Sequence, residues 1–158
     1  MKVHAVEPKL DVGPWLAGAQ FIDAFSVVVD GTALDARGAA ERMLRYRPRW
    51  IAALMALRNH LVAPFGLKTP SPNRRASADA IGIFPVLSES PSRLVAGFDD
   101  KHLDFRIVVD VSAPAARRNV TLSTVVLTHN QLGRTYLATI LPFHKLIAQT
   151  MLRQLAKA

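Results

Sequence analysis

"TYLATILPFHKLIAQTML", residues 135–152, is apolar enough to pass for a membrane span, yet Pro142, His144 and Lys145 sit at its centre. Wound at roughly 100° per residue, the stretch from about Gln131 to Lys157 sorts into two arcs. One holds Leu132, Tyr136, Leu137, Ile140, Leu141, Phe143, Ile147, Met151 and Leu155; the other holds Gln131, Thr135, Thr139, Pro142, Lys145, Gln149 and Arg153. A spanning helix needs roughly 20 mostly apolar residues and tolerates central charge poorly. The pattern is an amphipathic helix, not an anchor. Pro142, on the polar arc, removes an N–H and clashes with the preceding turn, so the helix is expected to bend with proline on its convex, wet side. Its apolar face would then lie against a curved sheet.

The chain ahead of this helix supplies that sheet. "FIDAFSVVVDG" (21–31), "AIGIFPVLSES" (80–90), "RLVAGF" (93–98), "LDFRIVVDVS" (103–112) and "NVTLSTVVLTH" (119–129) are rich in β-branched and aromatic residues and bounded by turn signals. Their last four members follow one another through short connections, as antiparallel neighbours do. In the stretch 103–112, Leu103, Phe105, Ile107, Val109 and Val111 face one way, and Asp104, Arg106 and Asp110 the other, which predicts one wet side. Pro85 belongs on an edge or at a bulge. Between the first and second strands, Asp35 suits an N-cap ahead of "ARGAAERMLRY", and Pro48 opens a second helix, "PRWIAALMALRNHLV". Residues 1–20 read as an irregular lead-in and "KTPSPNRRASAD" (68–79) as a loop. The expectation is one α+β domain over 1–158: a helix-grip arrangement, in which a curved antiparallel sheet of about five strands wraps a long C-terminal helix, with two short helices after the first strand.

Composition narrows the function classes. The 158 residues are ordinary globular in make-up, and the absence of cysteine removes disulfide and thiolate chemistry. With no signal-peptide pattern at the start, a cytoplasmic location is expected. The formal net charge is +8, and the window 42–78 carries Arg42, Arg45, Arg47, Arg49, Arg58, Lys68, Arg74 and Arg75 without one acid. Elsewhere basic and acidic residues balance, so a single segment holds the excess. The plain reading is a solvated helix face with a loop; a peripheral membrane contact is the open alternative. No binding motif accompanies the charge, so nucleic acid is not expected as a partner. No zinc-like spacing and no Gly-rich strand–turn–helix are present, so neither a metal nor a dinucleotide cofactor is expected.

Three stretches, "RPRWIAALMALRNHLVAPFGLK" (47–68), "DDKHLDFR" (99–106) and "THNQLGRTYLATILPFHKLI" (128–147), resemble a bacterial domain-of-unknown-function family placed in the START/polyketide-cyclase-like (SRPBCC, helix-grip) superfamily. That family's domain occurs alone or behind a short-chain-dehydrogenase-like domain. The resemblance spans about 15–155 and implies a habit of binding apolar ligands between sheet and final helix. The superfamily usually has seven strands. The resemblance carries no established catalytic residue.

Two polar residues stand inside apolar arcs. His144 is flanked by Ile140, Ile147 and Met151, where it meets either a ligand in the cavity that the resemblance implies or a core hydrogen-bond partner. Arg58 sits among Trp50, Leu54, Met55, Leu57, Leu61 and Val62, where a buried guanidinium requires an anion unless it snorkels at the helix edge. His102, Asp104 and Arg106 read as a charge-paired surface ladder. His129, beside Asn130, reads as a cap for the last helix. The expectation is a small protein holding an apolar or amphipathic molecule, with Arg58, Tyr136, Ile140, Phe143, His144 and Ile147 as ligand-binding candidates. The alternatives are an acid–base enzyme of cyclase, dehydratase or isomerase type using His144, and an accessory module docking a separate oxidoreductase. Self-association through a sheet edge is also open.

Overall fold

A computed structural model describes residues 2–8, 16, 18–30, 33–45, 48–65, 80–81, 84–99 and 101–156; the side chains at 51, 54, 55, 58, 61, 62 and 65 lie outside that description. The strands are β1 (His4–Ala5), β2 (Phe21–Asp30), β3 (Ala80–Ile81), β4 (Phe84–Glu89), β5 (Arg93–Asp99), β6 (Leu103–Val111) and β7 (Arg117–Thr128). The helices are α1 (Ala36–Arg45), α2 (Arg49–Val62) and α3 (Gln131–Leu155), with a 3-10 turn at Ala63–Phe65. All seven strands form one antiparallel sheet in the order β1-β2-β7-β6-β5-β4-β3. The α+β architecture, a curved sheet against a long C-terminal helix, is as the sequence predicts. The strand count is corrected from about five to seven. The additions are the two-residue strands β1, within the expected lead-in, and β3, which the sequence had joined to β4. Two residues are too few to show a period of two.

Alternation assigns the faces. Phe25, Val27 and Val29 of β2 stand in register with Leu122, Val120 and Arg118 of β7, and Val109 and Val111 of β6 with Leu122 and Val120. All of these but Arg118, with Leu94 and Ala96 of β5, meet Ala36, Ala39, Ala40 and Met43 of α1 and Ala148, Leu152 and Leu155 of α3 in one buried cluster. Small alanines let α1 approach the sheet and α3 closely, while Leu152 fills the space between.

The other face is not simply wet, which corrects the expectation drawn from β6. Asp104, Arg106 and Asp110 do lie there, half-buried, but so do Val95, Val108 and Val125, each 0% exposed. Val6 donates its N–H to Ala24 O at 3.0 Å, and Val6 and Glu7 flank a depression floored by Ser26, Thr121 and Ser123. Leu16 is buried as well. Pro85 sits in β4 beside the two-residue edge strand β3, with a bulge between Val86 and Ser88, as its missing donor requires.

Polar contacts fix the helices at their starts. Asp35 Oδ1 accepts the Gly38 N–H at 2.7 Å, the cap expected for α1. Arg37 donates two hydrogen bonds to the Glu89 carboxylate, at 2.6 and 2.7 Å, tying α1 to β4 and holding that carboxyl below its usual range. Asn130, not His129, caps α3: its Oδ1 accepts the Gly133 N–H at 2.9 Å. Pro142 lies inside α3 on the exposed side, and Ala138, whose carbonyl loses its partner, is exposed too. No helix among the described residues is long and apolar enough to cross a membrane.

Candidate functional site

The core-facing side of the sheet is sealed at one end and open at the other. Phe25, Val27, Val29, Leu94, Val109, Val111, Val120 and Leu122 are all buried. Toward the start of β2 and β6 the same face carries Phe21, Asp23, Phe84, Val86, Phe98, Phe105 and Ile107, all only half-buried. Between them Thr124 and Val126 of β7 stay covered. The helix shows the same gradient. Ala148 and Leu152 are buried, whereas Tyr136, Leu137, Ile140, Leu141, His144 and Ile147 are half-buried. The least covered part of this face therefore lies on the β4–β6 side, beside the first half of α3, while Leu103 and Thr128 at its far end are buried again.

Three phenylalanines floor it. Phe84 and Phe98 stack with ring centroids 6.3 Å apart, and Phe105 tilts against both, at 5.6 and 5.8 Å. Phe21, Val126, Phe105 and Phe98 form one cross-strand row, and Asp23, Thr124, Ile107 and Ala96 the next. At two strand spacings across and two residues along, the backbones at Asp23 and Phe105 stand about 12 Å apart on one face.

His144 reaches this floor from α3. Its Nε2 lies 3.4 Å from each oxygen of Asp23; the contact to Oδ1 has hydrogen-bond geometry and that to Oδ2 does not. Oδ2 is buried without a hydrogen bond among the described residues. The Phe21 ring packs edge-on against the imidazole, with centroids 6.2 Å apart. The side chains are 20% and 15% exposed, so the couple lies at the edge of the sealed core rather than within it. The sequence leaves His144 between a ligand and a core partner; the structure supplies a carboxylate 121 residues away. Asp23 was missed, although a signal existed: it is the one charged residue among the inward positions Phe21, Phe25, Val27 and Val29 of β2.

The remaining candidates separate. Tyr136, Ile140 and Ile147 line the half-buried flank of α3, but Phe143 is 48% exposed and Leu146 likewise, so Phe143 lies at the outer edge of the predicted arc. Arg58 falls on α2, its side chain outside the described residues. Trp50 and Leu57, assigned to the apolar arc of α2, are 38% and 54% exposed, so that part of the arc faces away from the core. Of the basic window, Arg42, Arg45 and Arg49 are exposed around the α1–α2 junction, a favourable place for cations at the C-terminal end of α1; the loop arginines Arg74 and Arg75, like Arg47 and Lys68, lie outside the description.

The ladder residues are paired on the opposite face. His129 Nε2 approaches Asp104 Oδ1 at 3.0 Å, Arg106 Nη1 approaches Asp99 Oδ1 at 2.7 Å, and the His102 ring meets the Asn130 amide at 2.9 Å. On the same side, Arg93 clasps Asp110, and that hydrogen bond pushes the guanidinium pKa above its usual value. Two open depressions of about 600 and 270 Å³ flank this pair, lined chiefly by hydroxyl, amide and charged side chains. They lie across the sheet from α3. No group of three metal-ligating side chains occurs among the described residues.

The fold defines an α+β protein whose curved seven-stranded sheet holds a long C-terminal helix, with a histidine–carboxylate couple between helix and sheet. The chain belongs to the family described as protein of unknown function (DUF2867), whose model matches residues 15–151. No curated protein and no solved structure matches it.

Proposed function

We propose that the protein binds a small apolar or amphipathic molecule in the cleft between the first half of α3 and the β4–β6 floor. The observation that carries this reading is the gradient along one continuous face. Side chains of the same apolar type are sealed at one end and only partly covered toward the other, where three clustered phenylalanines lie beside one polar couple. Apolar walls with a few convergent polar groups are the usual composition of a small-molecule site. Membership of the START/polyketide-cyclase-like superfamily is part of the proposal, supported by the seven strands and the long last helix.

The test is fluorescence titration with Nile red, a neutral dye whose emission shifts to the blue on leaving water. Binding should give that shift, and Ile107→Trp, which fills the floor between Asp23 and Phe105, should remove it while Leu146→Ala leaves it intact. No shift at any soluble dye concentration, or a shift indifferent to Ile107→Trp, refutes the reading.

A second reading, acid–base catalysis on the bound molecule, is favoured by one observation: His144 has a carboxylate at its Nε2, leaving Nδ1 to exchange a proton with a ligand. It requires that His144→Ala abolish turnover of an identified substrate while the fold survives. Unchanged turnover in that variant removes it.

A further inference from the structure

Resting on the cleft as the binding site, we infer that its ligands present a hydrogen-bond donor, such as a phenolic or other hydroxyl group, and that carboxylate-bearing ligands are disfavoured. The polar end of the cleft is built around an acceptor. An aspartate carboxylate offers about four lone-pair positions and no donor, and Asp23 has little to occupy them. His144 is 3.4 Å away, longer than the usual 2.7–2.9 Å of a charge-assisted bond. Oδ2 has no hydrogen bond at all among the described residues. Directly across the sheet from Asp23 is Thr124, and beyond it Ile107, so no cation approaches along that row. On the side of α3, His144 is the titratable group that faces it.

A hydroxyl that turns the imidazole aside, parting it from the carboxylate by about 1 Å beyond the present 3.4 Å, gives its proton to the buried Oδ2 and leaves its oxygen as an acceptor for the imidazole N–H. Both unmet valences are then satisfied by one group. A ligand carboxylate would instead bring a second anion beside Asp23 within a half-buried cleft, where like charges repel more strongly than in open water. The aromatic floor selects the rest of the molecule. Rings pack well against the stacked Phe84 and Phe98 and the tilted Phe105, and a two-ring aromatic body lying against Phe105 reaches from there toward Asp23, about 12 Å away between backbones.

The matched probes are naphthalene, 2-naphthol and 2-naphthoate, titrated into the full chain at neutral pH and followed by ligand-observed NMR. The expected order is 2-naphthol tightest, with 2-naphthoate at least tenfold weaker. Asp23→Asn, which removes the charge and keeps the shape, should bring the two within about threefold. In the native protein, 2-naphthol should also move the ¹³C resonance of the Asp23 carboxyl, a readout that does not depend on the variant folding. Naphthoate binding as tightly as naphthol, or an Asp23 carboxyl that does not respond, overturns the inference while leaving the cleft reading intact. If naphthalene and both derivatives fail to bind, the cleft reading falls and takes this one with it.

Discussion

Replacing Gly133 by alanine should destabilise the protein, although the local chemistry of a helix predicts the opposite sign. Gly133 is the third residue of α3, and in a helix alanine is favoured over glycine by about 1 kcal/mol. Here a Cβ would fall 2.1 Å from the carbonyl oxygen of His102 and 3.0 Å from its carbon. Relieving that overlap requires the helix start and the β5–β6 turn to separate by about 1 Å or more. The obstacle is backbone, so no side-chain rotation helps. The same movement strains the Asn130 cap on Gly133 N and the hydrogen bond from His129 N to His102 O, each worth about 1 kcal/mol. Overpacking at a fixed contact costs typically 1–3 kcal/mol. Set against the propensity gain, the net loss is about 1–3 kcal/mol, or roughly 2–10 °C in Tm for a chain of this size. Gly38→Ala in α1 is the comparison, because its added Cβ would meet only side-chain atoms, Asp35 Oδ1 at 2.9 Å and Leu34 Cδ1 at 3.6 Å, which can shift at a cost limited to the Asp35 cap, about 1 kcal/mol. Urea unfolding followed by far-UV circular dichroism gives both values. A Gly133 variant as stable as the native protein, or no less stable than the Gly38 variant, would show that α3 does not start against His102.

Two further predictions concern how the helices are held. Leu152→Ala removes a fully buried side chain from the cluster shared by α1, α3 and the sheet and should cost about 2–5 kcal/mol, whereas Leu146→Ala, at a half-exposed site on the same helix, should stay within about 0.5 kcal/mol; equal effects in urea unfolding would refute the docking of α3 by that face. Glu89 has its folded pKa lowered by Arg37, so it contributes stability above its unfolded pKa and loses it as pH falls through the folded value. The difference in unfolding midpoint between the native protein and Glu89→Gln should therefore be present at about pH 7 and vanish by about pH 3; a difference independent of pH would show that the carboxylate's charge contributes nothing.

How much of this was legible in the sequence follows from the range of each signal. Strand β6 alternates over nine residues and α3 presents an arc over seven turns, so both were readable to within a residue or two. The caps were half-readable: Asp35 was placed correctly, but at the start of α3 the adjacent His129 and Asn130 were exchanged, because a sequence does not say which ring or amide turns back toward the helix. Strands β1 and β3 were invisible, being two residues long and defined only by their pairing with β2 and β4, not by a pattern of their own. The buried valines on the outer face, Val95, Val108 and Val125, were unexpected because alternation within one strand does not say what covers either side. Among site residues, His144 was conspicuous as a polar residue in an apolar arc, and Asp23 carried the same kind of signal on β2. Joining the two needed the sheet.

The gradient along α3 also explains how a stable helix can leave a cleft beneath it. Its C-terminal half is held by burial, through Ala148, Leu152 and Leu155. Its first turn is held by polar and steric contacts instead: the Asn130 cap, the Asn130–His102 bond and the close seat of Gly133 on the β5–β6 turn. A helix fixed at both ends does not need its middle packed to native density. The residues between, Tyr136 to Ile147, are relieved of that demand, and Pro142, which weakens the helix's own hydrogen bonding, is tolerated there. It is in this interval that His144 meets Asp23. Sealing the cleft with larger apolar side chains should therefore raise stability while lowering affinity for any ligand, the opposition expected where a fold leaves a site underpacked for binding.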